Sequence, residues 1–184
     1  MILASGSQRR IDLLNKFSYT FTVEKADIEE KKEGKSPQSM VMGLAFEKAK
    51  KVAENHPQDL VLGADTMVYR EGKVYGKAEN LEEARAMLGE LSGKTHQVYT
   101  GFALVCLDKK LKIIDYDLSS VSFKDLTDQE LEAYLASGEW EDKAGAYAIQ
   151  GKAAEFVKDL QGDINNVIGL PTKVCSYLED LKDE

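Results

Sequence analysis

Apolar positions recur along the chain at two spacings, and the change from one to the other divides it into alternating strands and helices. Ile2-Leu3-Ala4 predicts a short strand, Ser5-Gly6-Ser7-Gln8 a small-residue link, and Arg9 to Phe17 a helix with Ile11, Leu14 and Phe17 on one stripe. Ser7 or Gln8 falls at its cap. Tyr19 to Val23 alternates as a strand does. Ser36-Pro37 opens a helix running to about Glu54, stopped by Asn55-His56-Pro57. Leu60 to Tyr69 is an apolar run broken at Gly63-Ala64, where it presents Asp65 and Thr66 before β-formers resume. A turn at Arg70-Glu71-Gly72-Lys73 leads to a second strand ending at Gly76-Lys77. Asn80-Leu81-Glu82-Glu83 has the form of a capping box, for a helix reaching Leu91.

Lys94 to Leu107 predicts a long strand with Val98, Thr100, Phe102, Leu104 and Cys106 to one side. Leu111 to Asp115 and a segment marked by Val121 and Phe123 predict two more. Thr127-Asp128-Gln129-Glu130 caps a helix that ends near Ser137-Gly138. Ala144 to Gly151 is a loop of small residues carrying one polar side chain, Gln150. Gly162 to Leu170 reads as strand and loop, and Pro171 opens a last helix with Val174, Cys175, Leu178 and Leu181 inward. Strands and helices interleave without repeats. The pattern predicts a single α/β domain over residues 1–184.

The chemistry begins where polar residues interrupt this pattern. A carboxylate between two apolar half-strands is costly to bury unless a cation or donor meets it. Asp65 is therefore either a strand kink bonding its own backbone or a base or metal ligand on a cleft floor. Arg9 and Arg10 fall in a helix first turn, where the dipole disfavours cations by about 0.3–1 kcal/mol each. They are either a solvated pair or part of an anion site built from strand, Ser/Gly turn and helix start. Lys48 shares a helix face with Val41, Leu44, Ala45 and Val52, so it either snorkels to solvent or points into an anionic cleft. Glu30 stands among clustered acids beside a polar loop.

Net charge changes the picture by exclusion. At −8 the chain does not suit a nucleic-acid polymer, whose backbone wants a basic surface, although a small anion needs only a local cationic pocket. No run approaches membrane-spanning length, and the apolar start is too short for a signal peptide. Cys106 and Cys175 lie in apolar stretches without metal spacing, and read as buried free thiols of a reducing cytoplasm. His56 and His96 lack zinc-type or triad-type neighbours and read as structural. Neither a Walker loop nor a dinucleotide fingerprint is present. Several cations around one in-strand acid suit phosphoryl chemistry, the cations holding phosphate oxygens and the acid serving a metal or a water.

These residues fall in motifs that resemble the Maf family of nucleotide pyrophosphatases. The motifs are Ala4 to Arg10, Leu62-Gly63-Ala64-Asp65-Thr66, Gly76-Lys77, Leu91 to Gly101, Asp142 to Gly151 and Val167 to Pro171, in family order over nearly the whole chain. The resemblance implies a two-lobed α/β fold shared with inosine-triphosphatase-type enzymes, with a long mixed sheet flanked by helices and a central cleft. It also implies hydrolysis of nucleoside triphosphates to monophosphate and pyrophosphate with a divalent cation, Mg or Mn.

By the same resemblance Asp65 is the proton acceptor and a metal ligand, with Glu30 on the metal side. Arg10, Lys48 and Lys77 are phosphate ligands, Ser7 contributes to substrate binding, and Arg9, Thr66 and Gln150 are specificity positions. The Gln150 motif and the histidine-bearing strand resemble the branch acting on dTTP and UTP. The implied partner is a small nucleotide, without membrane or polymer; homodimer formation stays open. The alternative role is a nucleotide-binding regulator of septum formation without significant turnover. Three positions depart from the family pattern. Ala78 replaces the usual proline after Lys77, Ala148 a glycine, and Phe17-Ser18 a leucine-glycine pair; the first is expected to loosen the Lys77 loop.

Overall fold

The computed structural model describes residues 1–31 and 34–182. In chain order the elements are β1 (Ile2–Leu3), α1 (Gln8–Lys16), β2 (Thr22–Val23), α2 (Pro37–Ala53), β3 (Val61–Arg70), β4 (Lys73–Tyr75), α3 (Leu81–Leu91) and β5 (Thr95–Cys106). They continue with β6 (Leu111–Phe123), α4 (Asp128–Ala136), a 3₁₀ turn at Lys152–Phe156, β7 (Val157–Gln161), α5 (Ile164–Ile168) and α6 (Lys173–Asp180). The strands form one mixed sheet in the order β2-β1-β3-β5-β6-β7, with β4 added to β3.

Local chemistry sets the helix starts. Ser36 caps α2 and receives the Ser39 N–H, with Pro37 in the first turn. Thr127 and Glu130 close a reciprocal box on α4. At α3 only half of the expected box forms: Asn80 accepts the Glu83 N–H, while the Glu83 carboxylate accepts the Glu79 N–H instead.

The long hairpin β5–β6 is the spine. Its register runs unbroken from Thr95↔Ser122 to Cys106↔Leu111, so the two strands expected after Leu111 are one. The polar positions Asp115, Asp117, Ser119 and Ser120 had hidden that continuity. β5 is buried on both faces rather than alternating, because helices cover each side of the sheet. On one face α2 packs Ala45, Ala49 and Val52 against Ile2, Val61, Ala103 and Val105. On the other, α1 and α6 pack Leu13, Leu14, Val174 and Leu178 against Leu3, Leu62, Phe102 and Leu104. A further core closes the far end of the hairpin, where Val98, Val121 and Phe123 meet α3, α4 and Tyr147. The first two cores form one lobe and the third the other, and the cleft lies between them.

Other expectations need correction. β2 is two residues long, and β7 had no forecast. The Gly162–Leu170 segment is a short helix, capped by Asp163, which receives the Asn165 N–H, and ended by Gly169 at φ +134°. Cys106 is buried, but Cys175 only half so.

Candidate active site

The site is a fork in the sheet. One edge of β3 pairs with β5 from Val61 to Tyr69. The opposite edge is taken by β1 at Val61 and Leu62, then by β4 from Val68 to Arg70. Between them, Gly63 to Met67 has no strand partner on that side. Asp65 and Thr66 sit mid-gap, and strand alternation sends them to opposite faces.

Asp65 faces α2. That helix lies unusually close to the sheet, because a Cβ on Gly63 would stand 2.2 Å from the Ala45 carbonyl oxygen. A Cβ on Gly101, the β5 residue opposite Asp65, would stand 2.4 Å from the Val41 carbonyl carbon. Two bare backbones thus admit the helix, and Lys48 reaches across to the fork. Its Nζ is 2.8 Å from Asp65 Oδ1 and 2.8 Å from Glu30 Oε1. The Lys48 ammonium and the Asp65 carboxylate are both buried, whereas Glu30 is about half exposed. Partial burial would raise the Glu30 carboxyl, but the Lys48 hydrogen bond and the charges of Lys48, Lys77 and Arg10 hold it below the usual carboxylate range.

Thr66 faces α1. The buried Arg10 guanidinium donates from Nη2 to Thr66 Oγ1 (3.1 Å), from Nη1 to Ser5 Oγ (3.1 Å) and from Nε to the Gly169 carbonyl (2.8 Å). Burial pulls its pKa down to about 10, with the Asp65 charge opposing. It stays fully cationic at neutral pH. Beside it Arg9 is half-buried, its pKa lowered by burial and partly restored by Tyr134.

The far wall comes from two loops stitched together. Gly145 N–H donates to the Gly76 carbonyl at 3.0 Å, and Lys77 pairs with Ala144 in an isolated bridge. This bridge joins the Lys77 loop, where Ala78 stands in place of the family's usual proline, to the Ala144 loop. Lys143 lies on the same wall, its pKa lowered by burial and then by Arg9.

The cleft measures about 680 Å³. Among the described residues six cations line it, Arg9, Arg10, Lys25, Lys48, Lys77 and Lys143, against three carboxylates, Glu30, Asp65 and Asp142. On a chain of net charge −8 this is a local inversion of sign. Among the described residues only Lys48 of the six has a carboxylate within salt-bridge distance.

Eight of the nine residues singled out from sequence therefore meet in one place: Ser7, Arg9, Arg10, Glu30, Lys48, Asp65, Thr66 and Lys77. Gln150 does not join them; it is exposed and outside the residues that line the cleft. Lys25 and Lys143 were missed. Lys143 lies inside the quoted Asp142–Gly151 motif, and that was the available signal. His96 is structural: fully buried, bonded through Nε2 to the Tyr147 hydroxyl at 2.7 Å and held neutral, its pKa pushed down to about 4 by burial and by Arg70. Among the described residues no three His, Cys, Asp or Glu side chains form a metal-holding group, and no helix is long and apolar enough to cross a membrane.

Comparison with known proteins bears on both the fold and this constellation. The chain is similar to two solved Ham1 proteins, from Staphylococcus aureus (TM-score 0.52, covering 97% of both chains) and Coxiella burnetii (TM-score 0.50, covering 97% of this chain and 98% of that one). Each is 14% identical, which speaks for the fold alone. A Bacillus cereus protein named dTTP/UTP pyrophosphatase is 47% identical over 183 residues, with 99% of this chain and 94% of that protein covered. A Bacillus anthracis protein of the same name is 48% identical, with the same coverage of both chains. The description "Maf-like protein" matches residues 1–181, a span that takes in every residue of the fork, and the chain belongs to the Maf family.

Proposed function

We propose that the chain is a nucleoside triphosphate pyrophosphatase acting on dTTP and UTP in the cytoplasm, releasing the monophosphate and pyrophosphate. The carrying observation is one buried carboxylate, Asp65, in the gap of a split sheet and ringed by cations. The curated relatives bearing that activity in their names share nearly half of their residues with this chain over almost its whole length.

The triphosphate is the part of the substrate that the cleft answers. Arg9, Arg10 and Lys77 offer charge that no carboxylate of the described residues neutralises, and Arg10 keeps two of its five N–H donors after its three protein bonds. Asp65 is the base in this reading, accepting a proton from the water that attacks the α-phosphorus. Lys48 holds Oδ1, and Asp65 Oδ2 has no hydrogen bond from the described residues. The cations that bind the β- and γ-phosphates then stabilise the charge on departing pyrophosphate.

A divalent cation fits this donor set. Asp65 and Glu30 both face the Lys48 ammonium at 2.8 Å, and these two carboxylates would hold the ion. Two carboxylates with phosphate oxygens and waters completing the shell is the usual Mg²⁺ arrangement. Such an ion would neutralise phosphate charge and polarise the phosphorus being attacked.

The test is turnover of dTTP and UTP with Mg²⁺ or Mn²⁺, with the phosphorus product identified. Pyrophosphate is the expected product, and Asp65→Asn should lower kcat at least ~10²-fold. Release of orthophosphate, or an Asp65→Asn variant near wild-type rate, would sink the assignment. For the base, the family resemblance nominates Gln150, whose side chain is exposed outside the residues that line the cleft, so a specificity role would require its carboxamide to swing toward the pyrimidine edge, to which it can both donate and accept. Gln150→Glu should reduce kcat/KM on UTP and dTTP by roughly 10-fold.

A further inference from the structure

Arg10 is held by an unusual set of partners. A buried guanidinium is ordinarily met by a carboxylate, yet all three groups that accept from Arg10 are neutral: two hydroxyls and one backbone carbonyl. A carboxylate would fix the side chain and cancel its charge together. Neutral acceptors fix it and leave the charge for something in the cleft.

The Thr66 hydroxyl belongs to a chain whose direction is determined. Thr100 Oγ1 donates to the Asn166 carbonyl at 2.8 Å, since a carbonyl only accepts. Its single proton being used, Thr100 must accept in its 2.9 Å contact with Thr66. Thr66 has then given its own proton and receives from Arg10. The order Arg10 → Thr66 → Thr100 → Asn166 permits no other arrangement of hydrogens.

Asn166 is in turn locked. Its Nδ2 donates to the Val98 carbonyl (3.0 Å) and to Ser119 Oγ (2.9 Å), and Ser119 Oγ donates to the Asp163 carbonyl (2.9 Å). Thr100 and Asn166 are fully buried, and Ser119 very nearly so. Gly169, the direct acceptor of Arg10 Nε, ends the same short helix that carries Asn166.

We propose that Thr100 and Asn166 are positioning residues for substrate binding, holding the Arg10 guanidinium in register with the triphosphate through Thr66. The triphosphate part rests on the function proposed above; the fixing of Arg10 does not. Neither residue lines the cleft, so each acts only through others.

Two measurements separate these parts. The ¹⁵N-labelled protein is followed through the Arg10 Nε–Hε signal, assigned by its disappearance in Arg10→Lys. Thr100→Val removes the relay hydroxyl at constant shape; with Thr66 no longer anchored under Nη2 the guanidinium leaves the Gly169 carbonyl more often, and Hε exchange should speed at least ~5-fold, the scale of one lost hydrogen bond. Thr100→Ser restores the hydroxyl and should stay within about twofold of wild type. Asn166→Ala is the second variant and should follow Thr100→Val; thermal unfolding confirms that each is folded. In calorimetry with inorganic triphosphate, Thr100→Val should weaken binding about 5-fold in the wild-type background and less than about 2-fold in Arg10→Lys, because coupled residues do not add. Unchanged Hε exchange in folded Thr100→Val, or equal losses in both backgrounds, overturns the proposal. If the wild-type protein binds no triphosphate, the proposed function fails, while the exchange measurement still decides the positioning role.

Discussion

The Lys48 ammonium lies 2.8 Å from Asp65 Oδ1, and this contact ties helix α2 to the unpaired middle of β3. Removing the lysine would leave a buried carboxylate without its cation, which costs about 3–5 kcal/mol, whereas removing both charges costs much less. Lys48→Met should therefore destabilise the fold by about 3 kcal/mol, and Lys48→Met/Asp65→Asn should recover most of it. Urea unfolding of the two single variants and the double variant measures the coupling. Strict additivity would mean that the pair contributes no interaction.

The same contact depends on glycine. Gly63→Ala or Gly101→Ala places a methyl within 2.2–2.4 Å of α2 backbone, so the helix must move outward. Each should cost about 3 kcal/mol, the upper range for overpacking, and reduce turnover as Lys48 withdraws. Gly43, in the same helix, has nothing within 4 Å of a Cβ. Gly43→Ala should instead stabilise by about 0.5–1 kcal/mol. Melting temperatures that move the same way for all three would refute the close-approach argument.

His96 gives a pH signature. Its folded pKa, about 4, lies below its ordinary value of 6.5, so below pH 6.5 the unfolded chain takes up a proton that the folded one refuses. Stability should fall as pH drops from about 6.5 towards 4, by up to about 1.4 kcal/mol per pH unit from this group. His96→Gln should flatten the slope in that window by up to about one proton. A slope unchanged from wild type between pH 4 and 6.5 would show that His96 is not held neutral.

Ser18 follows α1 with φ +62°, a left-handed conformation that costs a residue with a side chain roughly 1–2 kcal/mol. This is the position where the family pattern has glycine. Ser18→Gly should stabilise by about 0.5–1 kcal/mol after the added unfolded-state entropy. The matching rise in Tm is about 1–4 °C, read by calorimetry; a fall would place the strain elsewhere.

Sequence by itself determined most of the elements and marked most of the residues that meet in the cleft. Helical and strand periods are local, and so are the caps at Ser36 and Thr127; each is specified by residues a few positions apart. Asp65, Arg10 and Lys48 were conspicuous because each set a charge where its neighbours called for none. Even the missed helix α5 carried local signals, Asp163 before it and Gly169 after it.

Tertiary structure alone decided how these parts meet. Which strand pairs with which edge of β3 depends on segments far apart in the chain, and no period along β3 encodes that β1 and β4 divide one edge. Arg10 and Gly169 lie 159 residues apart, and Thr100 and Asn166 lie 66 apart. A threonine in a buried strand gives no sign in sequence that its hydroxyl relays an arginine. Gln150 stood out as the one polar side chain of an apolar loop, yet the fold leaves it exposed beyond the cleft lining. Exposure depends on what else packs against a loop, and that is a property of the assembled chain.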